Sequence, residues 1–237
     1  MRNEQILRLE EMDANHWWTK SRLNLVKSLV LRYCEFDAKV FEVGAGSGGT
    51  LIELKKIGFQ VHALEPTTFG AENIRKNNIE VMETTIDKLV GKSLDADIIL
   101  LLDVLEHLED DGLGLKTLHK ATPSETLLCI TVPADPSLWS KLDEDVYHFR
   151  RYTKASISNL LMLNGWELIE IRYWMSILKP VVRFRRKILK GSFMSETKLP
   201  NYYVNNFLKL ILRLETRSLT RRIPGTTIAV VAKKLKT

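Results

Sequence analysis

The chain has 237 residues, of which 45% are hydrophobic and 27% charged, and its formal net charge is +6. That apolar share excludes a disordered or low-complexity chain and supplies one large core, so one domain with an appendage is expected. No uninterrupted apolar run exceeds the length of Ile98–Leu102, far short of the roughly 20 residues a membrane-spanning helix needs.

The opening MRNEQILRLEEM is charged throughout and does not read as a secretion signal. Cys34 and Cys129 each sit in an apolar periodic segment. Both are expected as small core residues and not as a disulfide, which suits a reducing cytoplasm. The charge is unevenly spread. From Lys179 onward there are 15 Lys and Arg against only Glu196 and Glu215, a balance of +13, whereas residues 1–178 hold 20 basic and 27 acidic residues, a balance of −7. An acidic body carries a basic C-terminal segment.

In chain order, the residues up to about Asn15 have few apolar positions and are expected to be helical or loosely ordered. His16-Trp17-Trp18 then precedes Leu23, Val26, Leu29, Val30 and Tyr33, the spacing of an amphipathic helix. Residues 1–37 read as an N-terminal helical cap. The paired tryptophans either close a core or form a flap over a ligand, with Arg22 reaching a carboxylate. Val40-Phe41-Glu42-Val43 reads as a buried strand, followed by Gly44, Gly46, Gly48 and Gly49, and then by Leu51, Leu54 and Ile57 at helical spacing. Strand, glycine turn and helix together aim backbone N–H groups at a ligand. Gly44-x-Gly46-x-x-Gly49 also satisfies the dinucleotide fingerprint, which keeps a nicotinamide-dependent oxidoreductase open.

A second strand, Phe59–Leu64, delivers Glu65-Pro66 about 20 residues past the glycines, where a carboxylate can accept both protons of a ribose diol. Thr67–Asn77 reads as a helix and Glu80–Ile86 as a third strand. Ile98–Leu102 is apolar throughout, as in a strand buried on both faces of a parallel sheet. It carries Asp103, Glu106 and His107 to its carboxyl end, where open α/β sheets bind ligands. A helix near 110–121 and a strand at Thr126–Val132 follow. Ala134–Tyr152 is a long loop holding Trp139, Asp143, His148, Arg150 and Arg151, and loops of that length tend to be functional. Thr153 caps the next helix, and strands at Trp166–Trp174 and Thr226–Lys233 flank a basic insertion over 175–224. The alternation predicts an α/β fold with a doubly wound sheet.

Four features recur here in a fixed order: Glu42-x-Gly44-x-Gly46-x-Gly48; Glu65 at a strand end; Asp103-x-x-Glu106-His107-Leu108; and His148-Phe149-Arg150-Arg151-Tyr152-Thr153 followed by Asn164-Gly165-Trp166. Together they resemble the class I S-adenosylmethionine-dependent methyltransferases, above all the broad group that includes ubiquinone-biosynthesis O-methyltransferases, over about Trp17 to Lys234. The resemblance implies a Rossmann-like, seven-stranded, mostly parallel sheet across residues 38–237, with an antiparallel last strand and a helical insertion before it. It also implies S-adenosylmethionine as cofactor. Gly44, Ala45 and Gly46 would approach its methionine part, with Glu42 ordering the turn and meeting the amino group. Leu102 and Asp103 would line the methionine side, Glu65 beside Pro66 would hold the ribose, and Thr85 and Ile86 would face adenine. Thr85 stands where the family commonly has an Asp. His107 and His148 are candidate bases. Asp103, Glu106 and His107 match the spacing with which some relatives hold a divalent metal, so a metal stays open.

The basic stretch Arg183–Lys190 has apolar residues interleaved, and Val204, Phe207, Leu208 and Ile211 follow at helical spacing. Three readings stand: a cap with a solvated charged side, an interface with anionic lipid to which each nearby cation adds about 1 kcal/mol, or a site for a phosphate-bearing acceptor. Nucleic acid ranks lowest, because no aromatic-rich RNA motif accompanies the charge. The expected activity is O-methylation of a small-molecule, sugar or lipid-linked acceptor, cytoplasmic or at a membrane periphery. The alternatives are an NAD-dependent oxidoreductase and a non-catalytic membrane-associated module.

Overall fold

The computed structural model describes residues 3–188, 197–217 and 223–235. Seven strands form one sheet in the order β3-β2-β1-β4-β5-β7-β6. They are β1 (Lys39–Val43), β2 (Gln60–Leu64), β3 (Glu80–Met82), β4 (Ile98–Leu102), β5 (Leu127–Pro133), β6 (Trp166–Trp174) and β7 (Thr227–Lys234). β7 runs antiparallel to both neighbours, and every other pairing is parallel. The chain moves outward from β1 to β3, then returns to place β4 on the other side of β1. That reversal opens a crevice beyond the carboxyl ends of β1 and β4.

Side chains alternate across the sheet, so adjacent residues serve different cores. Val40, Ile98, Leu100 and Cys129 face one core, with Leu25, Val26, Leu29 and Val30 of α2 (Trp17–Tyr33), and Leu51 and Leu54 of α3 (Gly49–Lys56). Phe41, Ile99, Leu101 and Leu128 face the other, with Leu115 and Leu118 of α5 (Asp111–Ala121), and Ile157 and Leu161 of α7 (Lys154–Leu163). All of β4 is buried, as its unbroken apolar sequence requires. Cys129 lies in the core and Cys34 is half-buried, both as free thiols.

The N-terminal residues form α1 (Asn3–Asn15), and α2 begins at Trp17 itself, with His16 as its cap: the His16 ring nitrogen accepts from Trp18 N at 3.3 Å. The third strand is shorter than its Glu80–Ile86 pattern suggests. Thr84 N bonds back to Met82 O at 3.0 Å, ending β3 and turning the chain into a short 3-10 helix that buries Ile86 and Leu89. The Ala134–Tyr152 segment holds a 3-10 turn (Pro136–Leu138) and α6 (Lys141–Asp145), the remaining short helix α4 (Thr68–Lys76) lying between β2 and β3. The insertion supplies α8 (Lys179–Ile188) and α9 (Tyr202–Arg217). Of the basic stretch, Leu189 and Lys190 lie outside the described residues, as does Glu196. Asn205 of α9 clamps the α1–α2 junction, accepting from Trp17 N and donating to Asn15 O, both at 2.9 Å. Among the described residues no helix is long and apolar enough to cross a membrane.

Candidate functional site

After β1 the chain leaves the sheet through Gly44, Gly46 and Gly48, with φ of 72°, 56° and 80°. At Gly44 an added Cβ would also lie 2.9 Å from Val104 Cγ2, so a side chain there would force apart the ends of β1 and β4. Gly70, in the first turn of α4, is a close approach: its Cβ would sit 2.7 Å from the Gly46 carbonyl oxygen. The buried Glu65 carboxylate ties these parts together, accepting from Gly46 N at 2.8 Å, Thr67 N at 3.0 Å and Thr67 Oγ1 at 2.6 Å. Asp13 of α1 accepts from Ser47 Oγ at 2.5 Å, which fastens α1 onto the same turn.

A cavity of about 310 Å³ opens beside this turn. On the side of the turn it is lined by Glu42, Gly44, Ala45, Gly46, Leu102 and Asp103, and Trp17, Trp18 and Arg22 also line it. Glu65, Pro66, Thr85 and Ile86 are absent from that lining. Glu42 is buried and its Oε2 has no hydrogen-bond partner. Burial raises its pKa to about 8 against the opposing charge of Arg22. An orphaned acidic oxygen beside a glycine turn suits a bound ammonium group, which would restore the carboxylate. Arg22 Nη1 pairs with Asp103 Oδ2 at 2.5 Å, and its guanidinium lies 4.7 Å over the Trp18 ring. Burial alone would lower the Arg22 pKa, but Asp103 and Asp13 more than reverse this and keep it charged.

The opposite wall is made by Glu106, His107 and His148. Glu106 is fully buried, neither carboxyl oxygen has a hydrogen-bond partner, and burial followed by the charge of Asp103 pushes its pKa well above the carboxylate range. His107 is pushed down to about 4 by burial and then by His148, with the Tyr147 backbone opposing. It is therefore a neutral imidazole near pH 7. The two rings meet edge to face at 4.7 Å. His148 Nε2 lies 3.8 Å from Glu106 Oε1, while its Nδ1 lies 3.0 Å from Asp143 Oδ1.

Asp143 is what orients His148. Burial would raise its pKa, but the hydrogen bond to His148 and the charge of Arg151 hold it down to about 2. Arg151 Nη2 sits 2.7 Å from Asp143 Oδ1, and Ser140 N donates to Oδ2 at 3.0 Å. An ionised carboxylate only accepts, so the His148 proton resides on Nδ1 and the Nε2 lone pair faces Glu106. The segment is stitched to the sheet end. Phe149 N donates to Glu106 O at 2.7 Å, Tyr152 N to Pro133 O at 2.9 Å, and Arg151 Nη1 to Ala134 O at 3.0 Å.

The ligand atoms of Glu106, His107 and His148 lie within 4.8 Å of one another. A carboxylate with free oxygens and two imidazoles suits a divalent cation. Asp103, which the sequence spacing grouped with Glu106 and His107, is paired to Arg22, and His148 completes the cluster from a distant loop. The sequence marks Asp143 and Arg151 only as members of a polar loop, and Asp13 not at all. For Asp143 a local signal did exist: Ser140-x-x-Asp143 is a helix-start pattern.

A family model described as a methyltransferase domain matches residues 18–171. Among solved structures, a SAM-dependent methyltransferase from Archaeoglobus fulgidus is 18% identical, with a TM-score of 0.59 over 90% of this chain and 94% of that one. The N-methyltransferase NodS from Bradyrhizobium japonicum WM9, in complex with S-adenosyl-L-homocysteine, is 11% identical with a TM-score of 0.59 over 95% and 91%. The 1,6-didemethyltoxoflavin-N1-methyltransferase from Burkholderia thailandensis, with bound 1,6-didemethyltoxoflavin and S-adenosylhomocysteine, is 13% identical with a TM-score of 0.58 over 98% and 89%. At these identities the likeness is one of fold. No curated protein sequence matches the chain.

Proposed function

The chain belongs to the methyltransferase-domain family, whose class uses S-adenosylmethionine, and we propose that it methylates a hydroxyl oxygen presented to Glu106, His107 and His148. The cofactor supplies a methyl group already activated on a sulfonium, so the protein's main work is holding donor and acceptor in line. On the donor side, Glu42 Oε2 receives the ammonium group. The glycine turn leaves room for the methionine part, and Arg22 offers the N–H groups not used by Asp103 to its carboxylate. Loss of side chains at Gly44 and Gly46 is what lets backbone approach there.

On the acceptor side, His148 Nε2 takes the hydroxyl proton as the new C–O bond forms and the donor's S–CH3 bond breaks to leave a neutral thioether, and passes the proton to solvent afterwards. Asp143 stabilises the imidazolium so formed. The observation that carries this reading is the alignment of Asp143, His148 and the orphaned Glu106 carboxyl on one point of the cavity. It supports oxygen over nitrogen because a hydroxyl must lose its proton to attack well, whereas a neutral amine has its lone pair free. A divalent cation held by Glu106, His107 and His148 would take the same His148 Nε2 lone pair, so it would stand in place of the base and supply polarisation of the acceptor oxygen instead. Arg185 and Arg186 on the cavity lining support an acceptor that carries an anionic group, as a sugar phosphate or lipid-linked acceptor does.

The test is transfer of a labelled methyl group to a panel of matched hydroxyl and amine acceptors, with the product atom assigned by NMR. Methylated oxygen is the expected product, with turnover that survives chelation because His148 Nε2 is then free to take the proton. Methylated nitrogen would overturn the reading.

A further inference from the structure

Helices α8 and α9 are apolar on two sides. On the inner side Val182, Leu208 and Ile211 pack against the core, and Leu212 is fully buried. On the outer side, Ile177, Val181 and Phe184 recur at i, i+4 and i+7, and Tyr203, Phe207, Leu210 and Leu214 at i, i+4, i+7 and i+11. At about 100° per residue Val181 and Phe184 of α8, and the four residues of α9, each keep to one stripe of their helix, and Ile177 lies in the turn that precedes α8. All seven are exposed, from 50% at Ile177 to 82% at Tyr203. Single exposed apolar residues need no explanation, but two ordered stripes do.

The stripes converge at one junction. Ser176 N and Ile177 N donate to Glu215 at 2.7 and 3.4 Å, and Ser176 Oγ donates to Ile223 O at 2.6 Å. Ile177, Leu214 and the exposed Ile223 are thereby drawn together. Glu215 is the only acidic residue of either helix and is buried in these bonds. Among the described residues of the two helices none on the outer side is acidic, whereas Arg183, Arg213 and Arg217 are exposed. A second copy of this face would meet it with like charge. Neither helix is long enough to span a bilayer, at 10 and 16 residues. Apolar stripes bordered by arginine suit a surface that is apolar a few ångströms in and anionic at its rim.

We propose that this face docks the protein on an anionic lipid bilayer, with the stripes at the headgroup–acyl boundary and Arg183, Arg213 and Arg217 on lipid phosphates. Val182 and Arg186 of α8 line the cavity from the side of the helix away from the stripe, with Arg185 on the flank between, so docking sets the cavity close to the lipid surface.

The test is sedimentation of the full chain with vesicles of phosphatidylglycerol and phosphatidylcholine. Binding to mixed anionic vesicles is expected at low salt, about ten-fold weaker to pure phosphatidylcholine, and falling as salt is raised. The Phe207→Asp, Leu210→Asp variant should bind about ten-fold less or worse while its affinity for S-adenosylmethionine is unchanged, since neither residue lines the cavity. Arg213→Glu with Arg217→Glu gives the same loss without touching the stripes. Absence of pelleting with anionic vesicles would overturn the proposal. So would undiminished pelleting of both variants, or a wild-type dimer in light scattering that Phe207→Asp dissociates. Vesicle binding is read without methyl transfer, so this result stands apart from the acceptor chemistry proposed above.

Discussion

The two walls of the cavity are built differently. On the donor side the shape is made by backbone: three glycines at positive φ, a helix seated on the Gly46 carbonyl, and a Glu65 carboxylate filled by protein donors. On the acceptor side the work falls to side chains brought from far apart, with Glu106 and His107 from the end of β4 and His148 from beyond α6, set by Asp143 and Arg151. A backbone cradle recognises a constant ligand by shape, and side chains at the end of loops can change with the acceptor. Damage to the first wall should therefore appear in donor binding, and damage to the second in turnover.

The largest effect is expected on the acceptor side. His148→Ala should lower kcat by about 10² to 10⁴, the usual worth of a positioned base, with donor affinity by calorimetry unchanged. Asp143→Asn should cost less, about 10- to 100-fold in kcat, because His148 stays but its tautomer and orientation are no longer fixed. Its signature is a shifted acidic limb of the kcat pH profile, the limb on which the base must lose its proton, with KM little altered. A parallel loss of donor affinity in either variant would break the division between walls.

On the donor side, Gly44→Ala places a side chain at φ +72° and against Val104, which should cost about 1–3 kcal/mol in chemical unfolding and weaken donor binding about ten-fold. The smallest effect is a pH dependence. Burial raises the pKa of the Glu42 carboxyl to about 8, so below that pH it is protonated and must release its proton to meet an ammonium group. Donor affinity should rise between pH 6 and 8, by at most about ten-fold per unit, and Glu42→Gln should flatten the profile. Calorimetry in buffers of different ionisation heat should show proton release near pH 7.

The donor wall was legible in the sequence because its signals are local. Glycine spacing and an apolar run followed by Asp103 to His107 each sit within a few residues, whereas Glu65, Pro66, Thr85 and Ile86, expected at ribose and adenine, do not line the cavity. The dinucleotide alternative, which the same glycines allowed, gives way to the family match over residues 18–171. The acceptor wall was half legible: His107 and His148 stood out by residue type, but that His148 rather than Asp103 joins Glu106 depends on how the 134–152 segment folds back. No periodicity marks that return; Phe149 N on Glu106 O and the Asp143–Arg151 pair create it. Likewise Glu80–Ile86 reads as one strand, but the turn at Thr84 diverts Ile86 into the core. The basic insertion showed its charge in sequence, whereas which apolar residues face outward required the packing of α8 and α9.

The division between the walls is tested most directly by measuring two variants in both assays. Glu42→Gln should weaken S-adenosylmethionine binding in calorimetry while kcat at saturating donor stays near wild type. Glu106→Gln should leave that affinity within about two-fold and slow kcat by about 10² or more. That crossed pattern is what the account predicts. Both variants lowering the same parameter, or Glu106→Gln turning over at the wild-type rate, would contradict it.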